Sequence, residues 1–163
     1  MPDPDNEPAS PPCQAAGADD AYMGYLGHDD LLAALNELLE AERAGTKVAV
    51  KSLHAIPGER YAQLIHRIRD DEAHWCNMLS TEIRRLGGTP SPVTGAFLEK
   101  AMALIDPYQR LALLIRGQGW VVRKLEALRP RARDDQLHRA LGEMLDNHRH
   151  NIDLVDQLLQ GAR

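Results

Sequence analysis

"LLEAERAG", residues 38 to 45, places a glutamate in the middle of an apolar helical stripe. At about 100° per residue, Leu31, Leu35, Leu39, Ala49 and Leu53 share one face, and Glu42 lies near its centre. Glu37 and Glu40 point to the opposite, solvated side. The pattern predicts a helix from about Asp29, a natural N-cap type, to Leu53, just before "IPG". Burying a carboxylate costs several kcal/mol unless something pairs with it. Glu42 therefore needs partners, and they must come from other helices.

Three further long helical patterns follow, each with one polar residue in its apolar face. The second, about Glu59 to Leu86, stops at Gly87-Gly88 with Pro90 and Pro92 beyond. Its face is Leu64, Ile68, Trp75, Leu79, Ile83 and Leu86, with Glu72 inside it, Asp71 on its edge and His74 turned away. The third starts at Pro107, which suits a first-turn position, and ends near Leu128 before Pro130. Gln118 is central to its face of Leu111, Ile115, Val122 and Leu125. The last runs from about Asp134 to Leu159, with Gly161 past its end. There Leu137, Leu141, Leu145, Ile152, Val155 and Leu159 flank a central His148, while His150 points outward. All four polar residues lie near the midpoints of their helices. Midpoints of similar-length helices share a level in a bundle, so Glu42, Glu72, Gln118 and His148 are predicted to form one polar layer.

Between the second and third long helices, "GGTPSPVTGAFLEKAMALID" (residues 87 to 106) is long for a bundle turn. It holds a short helical pattern at about Gly95 to Leu104. Ten helical residues span ~15 Å, and the extended flanks add about 25–30 Å at ~3.3 Å each. That reach lets the connection climb the length of the bundle, which would set the third long helix parallel to the second. A plain up-down bundle with a surplus loop is the alternative.

Composition agrees with helix-on-helix packing. The 163 residues include one Phe, two Trp and four Tyr, and 44% are apolar. The formal charge is −5, with basic residues dispersed, so no basic face for nucleic acid is expected. No apolar run approaches the roughly 20 residues of a membrane span. Residues 1–27, "MPDPDNEPASPPCQAAGADDAYMGYLG", are rich in Pro, Asp and Ala and have no signal-peptide apolar core. They read as a disordered or loosely docked leader, with residues 28–163 as the bundle domain. Two cysteines, Cys13 and Cys76, are too few for a disulfide framework, and a cytoplasmic setting is expected.

The polar layer admits two chemical readings. Two carboxylates and an imidazole, with Gln118 as a weak fourth ligand or outer donor, suit one transition-metal ion, Fe, Mn or Zn. Alternatively the same groups form a hydrogen-bonded layer that only sets helix pairing, in a non-enzymatic interaction or scaffold module.

At these residues the chain resembles the ferritin-like superfamily, in particular its bacterioferritin and rubrerythrin branches. "LNELLEAERAG" is similar to the first ligand helix, with Glu42 at its glutamate, and "RDDEAHWCNMLSTEIRRLGGTPS" to the second, with Glu72 at the glutamate of an E-x-x-H motif. "DNHRHNIDLVDQLL" resembles the fourth helix. The resemblance covers about residues 29 to 160 and implies an all-α, ferritin-like four-helix bundle with a long crossover. It also implies a carboxylate metal site, pairing into a homodimer and oxygen- or peroxide-linked redox chemistry. The departures are specific. Trp75 stands where the E-x-x-H histidine belongs, Gln118 replaces a bridging glutamate, and His148-x-x-Asn151 replaces the last E-x-x-H. A di-iron centre uses about six protein ligands, and the convincing ones here are Glu42, Glu72 and His148. Shifting the register so that Asp71 and His74 form the motif would turn the helix by about 100° and bury its polar side.

Cys76, four residues after Glu72, reads as a small buried hydrophobe, with a thiolate ligand as the minority alternative. His54, His66, His138 and His150 share no inward spacing. Trp120 and Leu113 lie opposite Gln118 on the third long helix and would need covering, by a second copy of the chain or by the crossover. No Gly-rich phosphate loop, Ser-His-Asp order or CxxC pair occurs, so nothing points to a particular small-molecule substrate.

Overall fold

The computed structural model describes residue 20 and residues 22–161, and among them there is no strand. The elements are α1 (His28–Ser52), α2 (Glu59–Arg85), α3 (Phe97–Met102), α4 (Pro107–Leu128), a 3₁₀ turn (Arg129–Arg131) and α5 (Asp135–Gly161). Cys13 and most of the 1–27 leader, namely residues 1–19 and 21, lie outside the described residues. Nearer the bundle, Leu26 N–H donates to the Arg131 carbonyl at 3.0 Å, and Asp20 pairs with Arg133 at 2.6 Å.

Helix ends follow local chemistry, with small departures from expectation. Gly27, not Asp29, caps α1, so Asp29 and Asp30 fall in its first turn, where negative charge favours the helix N-terminus. The end of α2 is a Schellman motif. Gly87 adopts φ 81°, its N–H reaches the Arg84 carbonyl at 2.9 Å, and Gly88 N–H reaches that of Ile83 at 2.8 Å. Asp106 caps α4 by accepting from Tyr108 N–H at 2.8 Å, with Pro107 in the first turn. Asp134 accepts from Leu137 N–H at 2.8 Å and is held by the Arg85 guanidinium, a fork that keeps its carboxyl below the usual range. The short helix is narrower than Gly95–Leu104, because Gly95 N–H is tied to the Glu40 carbonyl at 3.3 Å. The 3₁₀ turn at Pro130 was not legible in the sequence.

Which end of each helix meets which gives the topology. One core cluster joins Leu31, Leu35 and Leu39 of α1 to Leu79 and Ile83 of α2, Leu125 and Leu128 of α4, and Leu137 and Leu141 of α5. The other joins Val48 and Ala49 to Tyr61, Leu64 and Ile68, then to Leu111, Leu114, Ile115 and Val155. Thus α1 and α5 run one way, and α2 and α4 the other. Around the bundle α1 contacts α2, α2 contacts α5, α5 contacts α4, and α4 contacts α1. For α4 to parallel α2, the crossover must climb the whole bundle, and it does so along α1. Asn36 amide donates to the Thr89 carbonyl at 3.2 Å, Ser91 hydroxyl to Glu40 at 2.6 Å, and Lys47 to the Thr94 hydroxyl at 2.7 Å. The up-down alternative is excluded.

The inward faces are largely as expected. On α4, Val121 rather than Val122 is fully buried, one residue round from the predicted stripe. Leu53, Leu86, Ile152 and Leu159 are only half-buried; Leu53 and Leu86 are the C-caps of α1 and α2, and Leu159 lies in the last turn of α5. Trp120 and Leu113 are half-buried against the cores, and Phe97 of the crossover packs on Gly117 between them. Among the described residues no helix is long and apolar enough to cross a membrane.

Candidate metal centre

The two apolar clusters are separated by one polar layer. On every long helix the residue at the break is polar: Glu42 on α1, Glu72 on α2, Gln118 on α4 and His148 on α5, each 1–3% exposed. Glu42 and His148 come from diagonally opposed helices, as do Glu72 and Gln118. His148 Nε2 lies 3.1 Å from Glu42 Oε1, and Gln118 Nε2 donates to Glu72 Oε1 at 2.9 Å. One ligand atom each from Glu42, Glu72 and His148 falls within 4.8 Å of the others. His74 is exposed, so the shifted register does not occur.

Residue 45 decides how close Glu72 comes. A Cβ on Gly45 would stand 2.0 Å from Glu72 Oε2, so the carboxylate lies directly against the α1 backbone one turn after Glu42. A mid-helix glycine costs ~1 kcal/mol relative to alanine, and this close approach is the physical return on that cost.

Protonation follows from burial and crowding. Burial raises the Glu72 carboxyl well above its ordinary range, and the neighbouring Glu42 adds to that. Burial alone would strip His148 of its proton, but the Glu42 carboxylate outweighs it and lifts the imidazole to about 9. The metal-free layer at neutral pH is thus an imidazolium–carboxylate pair beside a carboxyl that resists ionising. His148 Nδ1 sits 2.9 Å from the Met144 carbonyl. Donation there fixes the tautomer in which the Nε2 lone pair faces the carboxylates once its proton leaves, the usual support of a metal-ligating histidine.

The positions of the absent E-x-x-H histidines are occupied by a different network. Trp75 Nε1–H donates to Asn147 Oδ1 at 2.8 Å, and the Asn147 and Asn151 amides donate to Asp71 at 3.0 and 2.9 Å. This clamp ties α2 to α5 and uses Asp71 as an acceptor rather than a ligand. Cys76 lies 3.9 Å from the Thr46 hydroxyl, and burial, with Glu42 nearby, pushes its thiol up to about 11. A thiol of that kind is a hydrophobe at neutral pH, and it is not part of the converging ligand group.

Residues 29–157 match the family described as a domain of unknown function, DUF6306. The chain belongs to the DUF6306 family. No curated protein matches this DUF6306 chain. Among solved structures it is similar to a ferritin-like, diiron-carboxylate protein from Bacillus anthracis str. Ames. The two superpose with a TM-score of 0.71 at 20% identity, over 81% of this chain and 96% of that one. The DUF6306 fold is therefore ferritin-like, as the motifs around Glu42 and Glu72 implied.

Two parts of the DUF6306 site escaped the sequence reading. Gly45 was visible as a glycine inside a helical stripe, an anomaly that asks for a close neighbour. The Asp71–Asn147–Asn151 clamp had no signal, since three polar residues on helix edges look like solvated surface.

Proposed function

We propose that this chain binds one transition-metal ion, Fe, Mn or Zn, at Glu42, Glu72 and His148, with Gln118 orienting Glu72. The observation that carries it is an orphan. Glu42 Oε2 is buried with no hydrogen-bond partner, a cost a structural layer has no reason to bear and a cation removes. The donor set fits such an ion: two hard carboxylates and one imidazole nitrogen. Three protein ligands leave open positions, and bound Fe or Mn supplies redox chemistry toward dioxygen or peroxide. Along the bundle axis the two leucine-rich clusters close the layer off on either side, and Gln118 donates to the one Glu72 oxygen it reaches.

The ligand set supports one ion, not two, because Trp75 and Asn151 are engaged in the α2–α5 clamp. Elemental analysis of untagged protein reconstituted with Fe(II), Mn(II) or Zn(II) is expected to give about one tightly held ion per chain. Two would show that the clamp residues are displaced and the ligand set is larger.

Gly45→Ala provides a second check. The added methyl must push the Glu72 carboxylate off α1, while the substitution itself favours the helix by ~1 kcal/mol. The expected result in a Zn(II) titration is at least tenfold weaker binding, with a metal-free melting midpoint within a few degrees of wild type. Undiminished affinity would mean Glu72 need not approach Gly45 to bind the ion.

A further inference from the structure

The polar layer is not sealed on every side. Between α1 and α4 a cavity of about 330 Å³ runs from exposed Glu37 down to buried Gln118, Glu42 and Glu72. Its walls are Ala41, Leu114, Trp120 and Val121, closed on the crossover side by Phe97. Ala41 and Gly45 on α1 and Gly117 on α4 also line it, the Glu72 carboxylate filling the space beside Gly45 and the Phe97 ring standing 3.2 Å from where a Cβ on Gly117 would be. The crossover does not swing freely here, being pinned to α1 through Ser91, Val93 and Thr94. The cavity is consequently a standing feature of the fold.

Its floor has an unmet chemical demand. Gln118 is 2% exposed, and with its amide nitrogen given to Glu72, its carbonyl oxygen Oε1 has no partner. Glu42 Oε2 is likewise a buried acceptor without a partner. Since neither oxygen exposes as much as 1 Å², both lie just beneath the floor, and a donor meets Gln118 Oε1 as that side chain tilts up into the cavity. Two acceptors below and apolar walls above define a complement: an apolar body with one hydrogen-bond donor at its inner end. An anion would meet Glu42 and Glu72 at the floor and Glu37 and Glu40 at the rim. A free organic cation would lose its hydration against apolar walls. Size follows from volume, since a dry cavity of ~150 Å³ holds benzene and this one has about twice that space.

We infer that this cavity is a binding site for a neutral, bicyclic-sized apolar molecule carrying a single N–H or O–H donor, held by Gln118 Oε1. Mostly apolar pockets with a few fixed polar groups are the usual form of small-molecule sites. The site stands whether or not an ion is bound, because walls and acceptor belong to the chain. That the ligand would then lie beside the ion is a consequence that rests on the metal reading.

Indole and indene test it, being nearly the same shape with and without an N–H. Full-length protein, stripped by chelator, is titrated with each by calorimetry, and the Trp120 side-chain N–H resonance is followed by NMR. Indole is expected to bind at one saturable site, shift the Trp120 signal, and bind about tenfold tighter than indene, which leaves the buried acceptor unpaired. Gln118→Leu should erase that preference. Ala41→Leu and Val121→Phe, which fill the cavity from opposite walls, should each weaken indole at least tenfold in folded protein. No saturable binding, equal affinity for indole and indene in wild type, or binding indifferent to both filling variants overturns the inference. Indole binding in a protein that takes up no metal sinks the metal reading alone, and metal uptake without indole binding sinks this one alone.

Discussion

His148→Ala is expected to weaken metal binding by at least tenfold and to lower the metal-free melting midpoint by roughly 10 °C. The first effect follows because His148 Nε2 is the one nitrogen in the converging ligand group. The second follows because the imidazolium is the hydrogen-bonding partner of Glu42, 3.1 Å away, with both side chains 1% exposed. Removing one member of a buried pair costs about 3–5 kcal/mol, since Glu42 then lies beside Glu72 without its hydrogen-bonding partner. Melts of wild type and variant, each with chelator and with excess Zn(II), separate the readings. An ion held at 100 times its dissociation constant stabilises by ~2.7 kcal/mol, so the wild-type midpoint should rise by several degrees and the variant's much less. A wild-type midpoint indifferent to metal would leave only a structural polar layer. A rise that survives in the variant would remove His148 from the ligand set.

The polar layer was legible in the sequence because it is periodic. One polar residue per apolar stripe, each at mid-helix, needs only the 3.6-residue repeat to be placed, and Glu42, Glu72, Gln118 and His148 all lie at the break between the two cores. The reach of the crossover alone allowed α4 either sense, and it was the resemblance around Glu42 and Glu72 that implied the crossing connection. Only the meeting of Leu111 and Leu114 with Val48 and Ile68 at one end shows that α4 parallels α2. What could not be read was complementarity across helices. Gly45 matters because Glu72 lies against it, and Gln118 Oε1 matters because a cavity happens to open above it. Neither fact exists along a single helix. The same holds for Trp75, which looked like a bulky substitute for a ligand and is in fact the donor that starts the α2–α5 clamp.

Raising the pH should destabilise the metal-free protein and strengthen metal binding, so the two melting curves diverge. In the metal-free layer His148 titrates at about 9 when folded, above its ordinary 6.5. Its stabilising contribution is complete below about 6.5 and is lost as pH rises through 9, at up to ~1.4 kcal/mol per pH unit for one proton. Glu72, raised by burial and by Glu42, acts in the same direction, since its protonated form is the one the fold prefers. Metal binding reverses the sign. The ion needs the Nε2 lone pair and an ionised Glu72, so it must displace the His148 proton and whatever proton Glu72 retains. Between pH 6 and pH 8 the chelated midpoint should therefore fall, while the gain from Zn(II) should grow. Calorimetric titration at pH 7 in two buffers of different ionisation enthalpy should register release of at least about one proton per ion. Affinity that is flat with pH, with no proton released, would place the ion on groups that are already ionised, and His148 would then be a structural cation in the layer and not a ligand.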